Sequence, residues 1–276
     1  RTMIARILAI TTAELRIAIR NRWVAIASIL MLLFSLALTF AGSAPTGALG
    51  VDLLTVAVAS MTTLSVYLVP LLALLLAFDA IVGEVERGGL ALVLTYPVSR
   101  TEVLVGKFLA HIAALTLAIA LGFGTSGLAA WATGGAGSES LGALVRLTAS
   151  AVALGATFLA IGYALSALAR SPGAAAGLAI TVWVVFVVLY DLGLLGALVY
   201  DSGGTFTRQI FPWLLAANPA DAFRLFNLAG SDQLALATGL TGAAAAMPAW
   251  AAKLSLLAWP VRAMGLARLA LRRVEP

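Results

Sequence analysis

The chain has 276 residues, of which 62% are hydrophobic and 11% are charged, and its formal net charge is +5. A soluble fold of this composition would have too few polar side chains to cover its surface, so the composition excludes a water-soluble protein and indicates an integral membrane protein. The sequence contains no cysteine, which excludes disulfides, thiolate metal sites and thiol nucleophiles.

The N-terminal stretch, residues 1–22, alternates basic and apolar residues before the first long apolar run. Its apolar side chains fall on one helical face, so we predict an amphipathic helix that lies in the plane of the cytoplasmic leaflet. An ordinary basic tail is the alternative interpretation. The apolar run that follows exceeds the core of a typical signal peptide, and we interpret it as a retained anchor.

Apolar runs of roughly 20 residues, the length that crosses the hydrocarbon core of a bilayer, recur along the chain. We predict six membrane-spanning helices, at Trp23–Ala41, Leu53–Phe78, Leu109–Trp131, Leu147–Leu168, Ala174–Tyr200 and roughly Ala246–Ala267. The last span is the weakest, because Lys253, Pro260 and Arg262 interrupt its apolar pattern. The strand alternation of a membrane β-barrel does not occur, so the predicted fold is an all-α membrane protein with a single domain over residues 1–276.

The basic residues are distributed unevenly between the two sides of these spans. With the N-terminus inside, the following basic residues fall on the cytoplasmic side: Arg1, Arg6, Arg16, Arg20, Arg22, Arg87, Arg100, Lys107, Arg170, Arg268, Arg272 and Arg273. The remaining ones are Arg146, Arg208, Arg224 and Lys253, which fall outside, and Arg262, which is ambiguous. This asymmetry predicts a multi-pass protein of the bacterial inner membrane with both termini in the cytoplasm. Because the positive charge follows the topology, we expect no nucleic acid as a partner.

The cytoplasmic segment between the second and third spans, residues 79–107, combines acidic residues with glycines at the membrane surface. We predict a short helix around Glu84–Leu94, a break at Pro97, and a second helix from Arg100, because Ser99 and Glu102 have the spacing of a capping box. Such a segment suits contact with a cytoplasmic partner, and a solvated acidic turn is the alternative. The candidate contact residues are Asp79, Glu84, Glu86, Arg87, Gly88, Gly89 and Arg100.

Support for catalysis or metal binding is weak. The Gly106-Lys107 pair lacks the upstream glycine and the following Ser or Thr of a phosphate-binding loop, so we predict no ATP site in this chain. The single histidine, His111, follows Lys107 by one helical turn, and we interpret it as a packing residue. The methionines are scattered, without the paired spacing expected of a soft-metal pathway. We therefore expect no catalytic residue, no metal ligand and no cofactor bound by this chain.

Asp191 is an acidic residue within the fifth apolar run. A charge at the bilayer centre costs about 2.5–3.5 kcal/mol, so this residue needs a partner or a function. We predict an ion pair with Lys253, which should lie at a similar depth on the sixth span. A role in gating or in transmitting a conformational change is the alternative.

The longest external connection covers residues 201–245 and contains a helix-start signal. Asn218 suits the N-cap, Pro219 the first helical position, and Asp221 the positive end of the helix dipole. Arg224 follows Asp221 by three residues, a spacing that favours an ion pair. We consider two roles for this helix: a lid over the outer end of the membrane domain, and a docking surface for a periplasmic partner formed by Asn218, Pro219, Asp221 and Arg224.

Several of these motifs together resemble those of ABC-2-type permeases. They are Glu84-Val85-Glu86-Arg87-Gly88-Gly89-Leu90, then Pro97-Val98-Ser99-Arg100, then Gly106-Lys107. Two further segments are similar to the permeases of nitrous oxide reductase maturation complexes: Asp79-Ala80-Ile81-Val82-Gly83-Glu84, and Leu215-Ala216-Ala217-Asn218-Pro219-Ala220-Asp221 with Arg224. The resemblance covers the chain from about Glu14 to Leu228.

This resemblance implies a type V exporter-like architecture and a homodimer. It implies that each protomer holds a separate cytoplasmic ATPase, which binds ATP and Mg, at residues 79–107. It also implies a periplasmic β-helical partner and a part in assembling the copper–sulfur cluster of nitrous oxide reductase. An ABC-2 exporter of a drug, a lipid or a sulfur species is the alternative within the family. A secondary transporter is disfavoured, because the sequence has no inverted repeat and a single lone acid within its spans.

Overall fold

A computed structural model describes residues 2–41, 52–133, 136–201, 203–228, 248 and 250–274. Over these residues the chain is helical and contains no strand, in agreement with the predicted all-α class. The α-helices are α1 (Met3–Ile19), α2 (Arg22–Ala41), α3 (Leu53–Ala77), α4 (Val82–Glu86), α5 (Gly89–Leu94), α6 (Arg100–Ala132), α7 (Ser138–Leu168), α8 (Pro172–Trp183), α9 (Tyr190–Asp201), α10 (Phe211–Ala217), α11 (Pro219–Leu228) and α12 (Trp250–Leu271). Two π-helical segments are π1 (Val184–Leu189) and π2 (Phe206–Ile210).

Five helical segments of the described chain are long and apolar enough to cross a membrane. They contain α3, α6, α7, the continuous α8–π1–α9 run, and α12. The pair α1–α2, bent by 65° at its junction, is a sixth candidate. The protein is therefore a multi-pass membrane protein, with five or six candidate spans among the described residues. We name the end of the bundle with α4 and α5 the inner end and the opposite one the outer end, following the predicted orientation.

Two spans are longer than their apolar runs predict. The helix of the third span begins at Arg100, ahead of the apolar run at Leu109, as the capping box at Ser99 predicts. The fourth begins at Ser138 and not at Leu147. At 1.5 Å per residue α6 is about 50 Å long, well beyond a hydrocarbon core of roughly 30 Å. Helix α6 is therefore longer than the hydrocarbon core is thick.

Asp52 connects two helix starts at the outer end. Its carboxylate accepts hydrogen bonds from the backbone N–H of Thr55, at 2.9 Å, and from that of Gly137, at 2.7 Å. The Ser140 hydroxyl also donates to it. Burial raises the pKa of Asp52. The hydrogen bonds from Ser140, Thr55 and Gly137 together lower it by more than burial raises it, so the pKa lies below its ordinary value. The ionised carboxylate thus fastens the start of α3 to the start of α7.

The centre of the bundle depends on close contacts between helices. A Cβ on Gly162 of α7 would lie 2.6 Å from Ala77 Cβ at the end of α3, and one on Gly122 of α6 would lie 2.9 Å from the backbone of Met31 in α2. Small residues at such crossings let membrane helices approach closely. The α8–π1–α9 run is different, since only 17% of its apolar stretch is buried. Both Gly173 and Gly177 on this run have open space where a Cβ would be.

The chain after α9 does not stay at the outer end. Helices α10 and α11 form a hairpin, residues 211–228, whose tip at Asn218 enters the bundle. The backbone oxygen of Ala217 accepts a hydrogen bond of 2.8 Å from Trp259 Nε1, and Trp259 lies about 18 Å from the inner end of α12. The Asn218 amide donates to the Phe186 oxygen, 2.7 Å away, and Phe186 lies about 21 Å from the start of α8. The tip therefore lies near mid-depth.

This hairpin corrects the prediction that residues 201–245 form an external segment. Residues 211–228 enter the bundle, while residue 202 and residues 229–245 lie outside the described part of the chain. The sequence misled because polar residues in α11 suggested a water-facing helix. Several of them bond to other protein groups instead, as Asn227 does when its Nδ2 donates to Ser150 Oγ at 2.8 Å.

Candidate functional site

The inner segment, residues 79–107, consists of two short helices and the start of a long one. The predicted single helix around Glu84–Leu94 is divided at Gly88, which has φ +70° and separates α4 from α5. This left-handed conformation strongly favours glycine, so the Gly88-Gly89 pair ends one helix and begins the next. The predicted capping box is confirmed, because Ser99 Oγ accepts from the Glu102 N–H at 3.2 Å and Glu102 accepts from the Ser99 N–H at 2.7 Å.

Glu84 does not lie on the exposed surface of this segment. Its carboxylate pairs with the ammonium group of Lys107 on α6, which also contacts Glu14 Oε1 of α1 at 2.8 Å. The Lys107 side chain is 4% exposed. Glu84 is therefore half-buried and paired with a buried cation, and its contact with a cytoplasmic partner stays a prediction. The sequence showed Lys107 as part of the Gly106-Lys107 pair, but no sequence pattern indicated that Glu14 and Glu84 would pair with it.

The exposed part of the segment is the end of α4. Glu86, Arg87 and Gly88 are exposed, while Gly89 is half-buried. Arg87 Nη1 lies 3.3 Å from Asp79 Oδ2, and the Asp79 side chain is 37% exposed. A Cβ on Gly83 would lie 2.0 Å from Asp79 Oδ1, so the Asp79 carboxylate occupies the space that a larger residue would need. Asp79 thus orients Arg87 and fits closely against the start of α4.

Arg100 has a role that the sequence did not predict. Its Nη1 donates to the backbone oxygens of Leu271 and Val274, at 3.0 and 2.6 Å. The last carbonyls of a helix have no partner within the helix and favour a cation nearby. Arg100 therefore caps the end of α12, and its predicted contact with a cytoplasmic partner stays a prediction. No local sequence pattern joins residues this far apart in the chain.

Helix α1 is clamped across the start of α6. Arg6 Nη2 lies 2.7 Å from Glu102 Oε1, and Thr11 Oγ1 donates to the Gly106 oxygen at 3.1 Å. A Cβ on Gly106 would lie 2.6 Å from Ile10 Cγ2, so glycine permits the contact. Several apolar side chains of α1 are exposed: Met3, Ile4, Leu8, Ile17 and Ile19. A position of α1 in the membrane surface stays a prediction.

His111 packs between helices, as predicted. Its Nδ1 lies 2.6 Å from the hydroxyl of Tyr163, which is fully buried in α7. Within the described residues, no three His, Cys, Asp or Glu side chains are grouped so that they could hold a metal ion. The absence of a metal site on this chain stays a prediction.

The tip of the hairpin begins α11 at the predicted place. Asn218 Oδ1 accepts from the Ala220 N–H at 2.9 Å, and the same side chain donates to Phe186 inside π1. The ring of Phe186 packs edge-on against that of Trp259, with centroids 5.8 Å apart. Asn218, Pro219 and Asp221 are all buried. Because these side chains are buried, they are not available as a docking surface in this structure. Their burial favours the other interpretation, in which the segment closes the bundle.

Asp191 is paired, but not with Lys253. Arg224 Nη2 donates to Asp191 Oδ2 at 3.0 Å, and Arg224 Nη1 lies 3.3 Å from Asp221 Oδ1. The predicted pair of Asp221 with Arg224 is therefore confirmed, while the predicted pair of Asp191 with Lys253 is wrong. Lys253 is exposed on α12 and makes no ion pair within the described residues. The hairpin carries Arg224 into the bundle, a possibility that the external placement of this segment had excluded.

Comparison with known proteins identifies the class. Residues 8–275 match the model of the ABC-2 family transporter protein. The chain therefore belongs to the ABC-2 family. The bundle and its exposed inner segment are accordingly those of a permease subunit of an ABC transporter, a class that works with an ATPase partner.

Two relatives carry the same name. The chain is 43% identical over 268 residues to the probable ABC transporter permease protein NosY of Pseudomonas aeruginosa, covering 96% of this chain and 97% of that protein. It is 42% identical over 254 residues to the probable ABC transporter permease protein NosY of Stutzerimonas stutzeri, covering 91% and 92% of the two chains.

Proposed function

We propose that this chain is the non-catalytic membrane subunit of a NosY-type complex. In this proposal a separate NosF-like ATPase binds ATP and Mg in the cytoplasm, and a NosD-like β-helical subunit binds on the periplasmic side. The complex serves assembly of the copper–sulfur cluster of nitrous oxide reductase. The observation that carries the proposal is the similarity to two NosY permeases over more than nine-tenths of this chain.

The connections of α4 support a coupling role at the inner end. Its exposed residues Glu86 and Arg87 are available to an ATPase. Its first N–H groups are capped by Ser166 of α7, whose hydroxyl accepts from Ile81 and Val82 at 3.0 and 3.1 Å. The ion pair of Glu84 with Lys107 joins it to α6. A displacement of α4 would therefore act on several helices at once.

We propose that two protomers associate through the α8–π1–α9 run. This run is the least buried of the spans within the described residues. Its outward face is apolar and includes Leu178, Ile180 and Val185. Open glycines such as Gly177 would allow the close helix approach that is common between membrane helices.

The NosD-like partner, in this proposal, responds to the position of the hairpin. Asn218, Pro219 and Asp221 are buried, so direct binding to their side chains would require the hairpin to leave the bundle. Movement of the hairpin at mid-depth would link events at the inner end to the outer surface. No metal ligand is required of a chain with this role.

Co-purification tests the assignment. We expect affinity-tagged permease to bring down an ATPase and a β-helical periplasmic subunit in stoichiometric amounts. Two results together would overturn the assignment in favour of an exporter of another solute. The tagged permease would bring down the ATPase alone, and a deletion strain would lose a solute-export activity while its nitrous oxide reductase stayed normal.

A substitution tests the coupling surface directly. Glu86→Lys should reduce the amount of bound ATPase and the permease-dependent part of ATP hydrolysis several-fold, because it reverses an exposed charge at the end of α4. The matched control is Glu139→Lys, which also reverses an exposed charge but at the outer end, and it should leave both quantities unchanged. Equal ATPase binding by the two variants would remove α4 from the interface.

A further inference from the structure

Two carboxyl groups and one guanidinium meet where the hairpin packs against α9. Arg224 of α11 lies 3.0 Å from Asp191 of α9 and 3.3 Å from Asp221. The Asp221 side chain is 2% exposed, whereas those of Asp191 and Arg224 are 23% and 22% exposed. The cluster is thus closed on the hairpin side and partly open on the α9 side.

The charges in this cluster do not balance. With both carboxyls ionised, two negative charges would share a single positive one, and a buried unpaired charge in a membrane domain is costly. The helices packed against α11 supply no second cation within the described residues. Arg146 of α7 and Lys253 of α12 form no ion pair with either carboxyl. Arg262 of α12 forms none either, and α10 has no titratable side chain. Arg208 of π2, the segment packed against α9, is exposed and forms no ion pair with either carboxyl.

The other titratable groups nearby are the phenols of Tyr67 on α3 and Tyr190 on α9. A phenol cannot supply a positive charge, and the Tyr190 hydroxyl donates to the Leu214 oxygen at 2.7 Å instead. The imbalance of one negative charge therefore remains.

The hydrogen bonding of Asp221 shows the same deficit. Both of its carboxyl oxygens are buried, and neither has a hydrogen-bond donor among the described groups. An ionised carboxylate is a pure acceptor and needs such donors when it is buried, whereas a protonated carboxyl carries its own donor. A proton on Asp221, directed at the neighbouring Asp191, would remove both the charge imbalance and the missing donor.

We propose that Asp191, Asp221 and Arg224 form an intramembrane proton-binding site that fastens the hairpin to α9. One proton is held between the two carboxyls, and the opening beside Asp191 and Arg224 is its exchange route. When the proton leaves, two carboxylates repel one another across the contact, and the hairpin is released from α9. The segment π1 ends just before this site, and π-helical turns are frequent at functional positions. This inference does not depend on which partners the permease binds.

Infrared spectroscopy of the purified full-length chain tests the proposal. We expect wild type at neutral pH to show the carbonyl stretch of a buried protonated carboxylic acid. Asp221→Asn should lose the band. Asp191→Asn should lose the band too, because Asp221 would then be the only acid paired with Arg224 and would be ionised. Glu139→Gln, at an exposed position, is the control that keeps the band.

The pH dependence of thermal unfolding gives a second readout. A proton bound in the folded state contributes stability at low pH, which is lost as pH rises and the proton leaves. Wild type should therefore lose stability with rising pH in a range where Asp191→Asn does not. This comparison does not require the Asp221→Asn variant to fold. A wild-type spectrum without the band, a band that persists in both variants, or identical pH profiles would each overturn the proposal.

Discussion

The ammonium group of Lys107 lies between carboxylates that come from two other helices. It contacts Glu14 of α1 and Glu84 of α4, and its own side chain is almost fully buried in α6. A buried charge is tolerated when ion pairs and hydrogen bonds compensate its lost hydration. Lys107 therefore joins α1 and α4 to α6 at the inner end.

Replacing Lys107 by methionine should be strongly destabilising. The change keeps the length of the side chain but leaves two partly buried carboxylates without their cation, and removing one partner of a buried pair typically costs about 3–5 kcal/mol. Chemical unfolding in detergent would measure the loss. Lys107→Arg is the control, since it retains the charge and should lose much less. A methionine variant as stable as the arginine variant would contradict this role.

Individual residue roles at the inner end were only partly predictable. The capping box of Ser99 was recognisable because its partners are three residues apart. The cap that Arg100 provides joins positions separated by 171 residues, and the pair of Arg6 with Glu102 joins positions separated by 96. Sequence patterns report neighbours along one helix, whereas such contacts depend on how distant helices cross.

At the scale of elements, α1 and the start of α6 behave as one unit. Their crossing combines the ion pair of Arg6, the hydrogen bond of Thr11 and the close approach at Gly106. A push on α6 would therefore move α1 with it.

Gly106→Val should separate α1 from α6. The new side chain would collide with Ile10, since even a Cβ would lie 2.6 Å from Ile10 Cγ2. We expect limited trypsin digestion after Arg16 and Arg20 to be several-fold faster than in wild type. Gly124→Val, on the same helix with open space around its Cβ position, should cleave like wild type. Equal digestion of the two variants would show that the close approach does not hold α1.

At the scale of the whole molecule, the hairpin is held by side chains from the surrounding spans. Tyr190 and Trp259 donate to backbone oxygens at the end of α10, and Asn218 donates in return to π1. Backbone oxygens at a helix end lack partners, and leaving them unpaired in lipid is costly. The sequence indicated the helix start at Asn218 correctly, but it could not show that the partners of this start lie on distant spans.

Asn218→Leu should loosen this arrangement. It removes the donor to the Phe186 oxygen and the cap of α11 together, and leaving buried polar groups unsatisfied costs about 1–3 kcal/mol. A lowered midpoint of thermal unfolding would report the loss. Thr63→Val is the control, because the Thr63 hydroxyl is exposed and bonds within its own helix. If both variants unfolded at the same temperature, the tip contacts would contribute nothing to stability.

The cap that Arg100 places on α12 has a consequence for the order of assembly in the cell. Helix α12 is synthesised after the other described helices, and the residues that follow it complete the inner face. There a groove of about 420 Å³ beside α4 is lined by Glu86, Arg170 and Arg273. Until α12 has been inserted, Arg100 lacks its acceptors and this groove lacks one wall. We therefore expect an ATPase that recognises the finished inner face to distinguish chains that contain α12 from chains truncated before it, so that subunit pairing also acts as a check on synthesis.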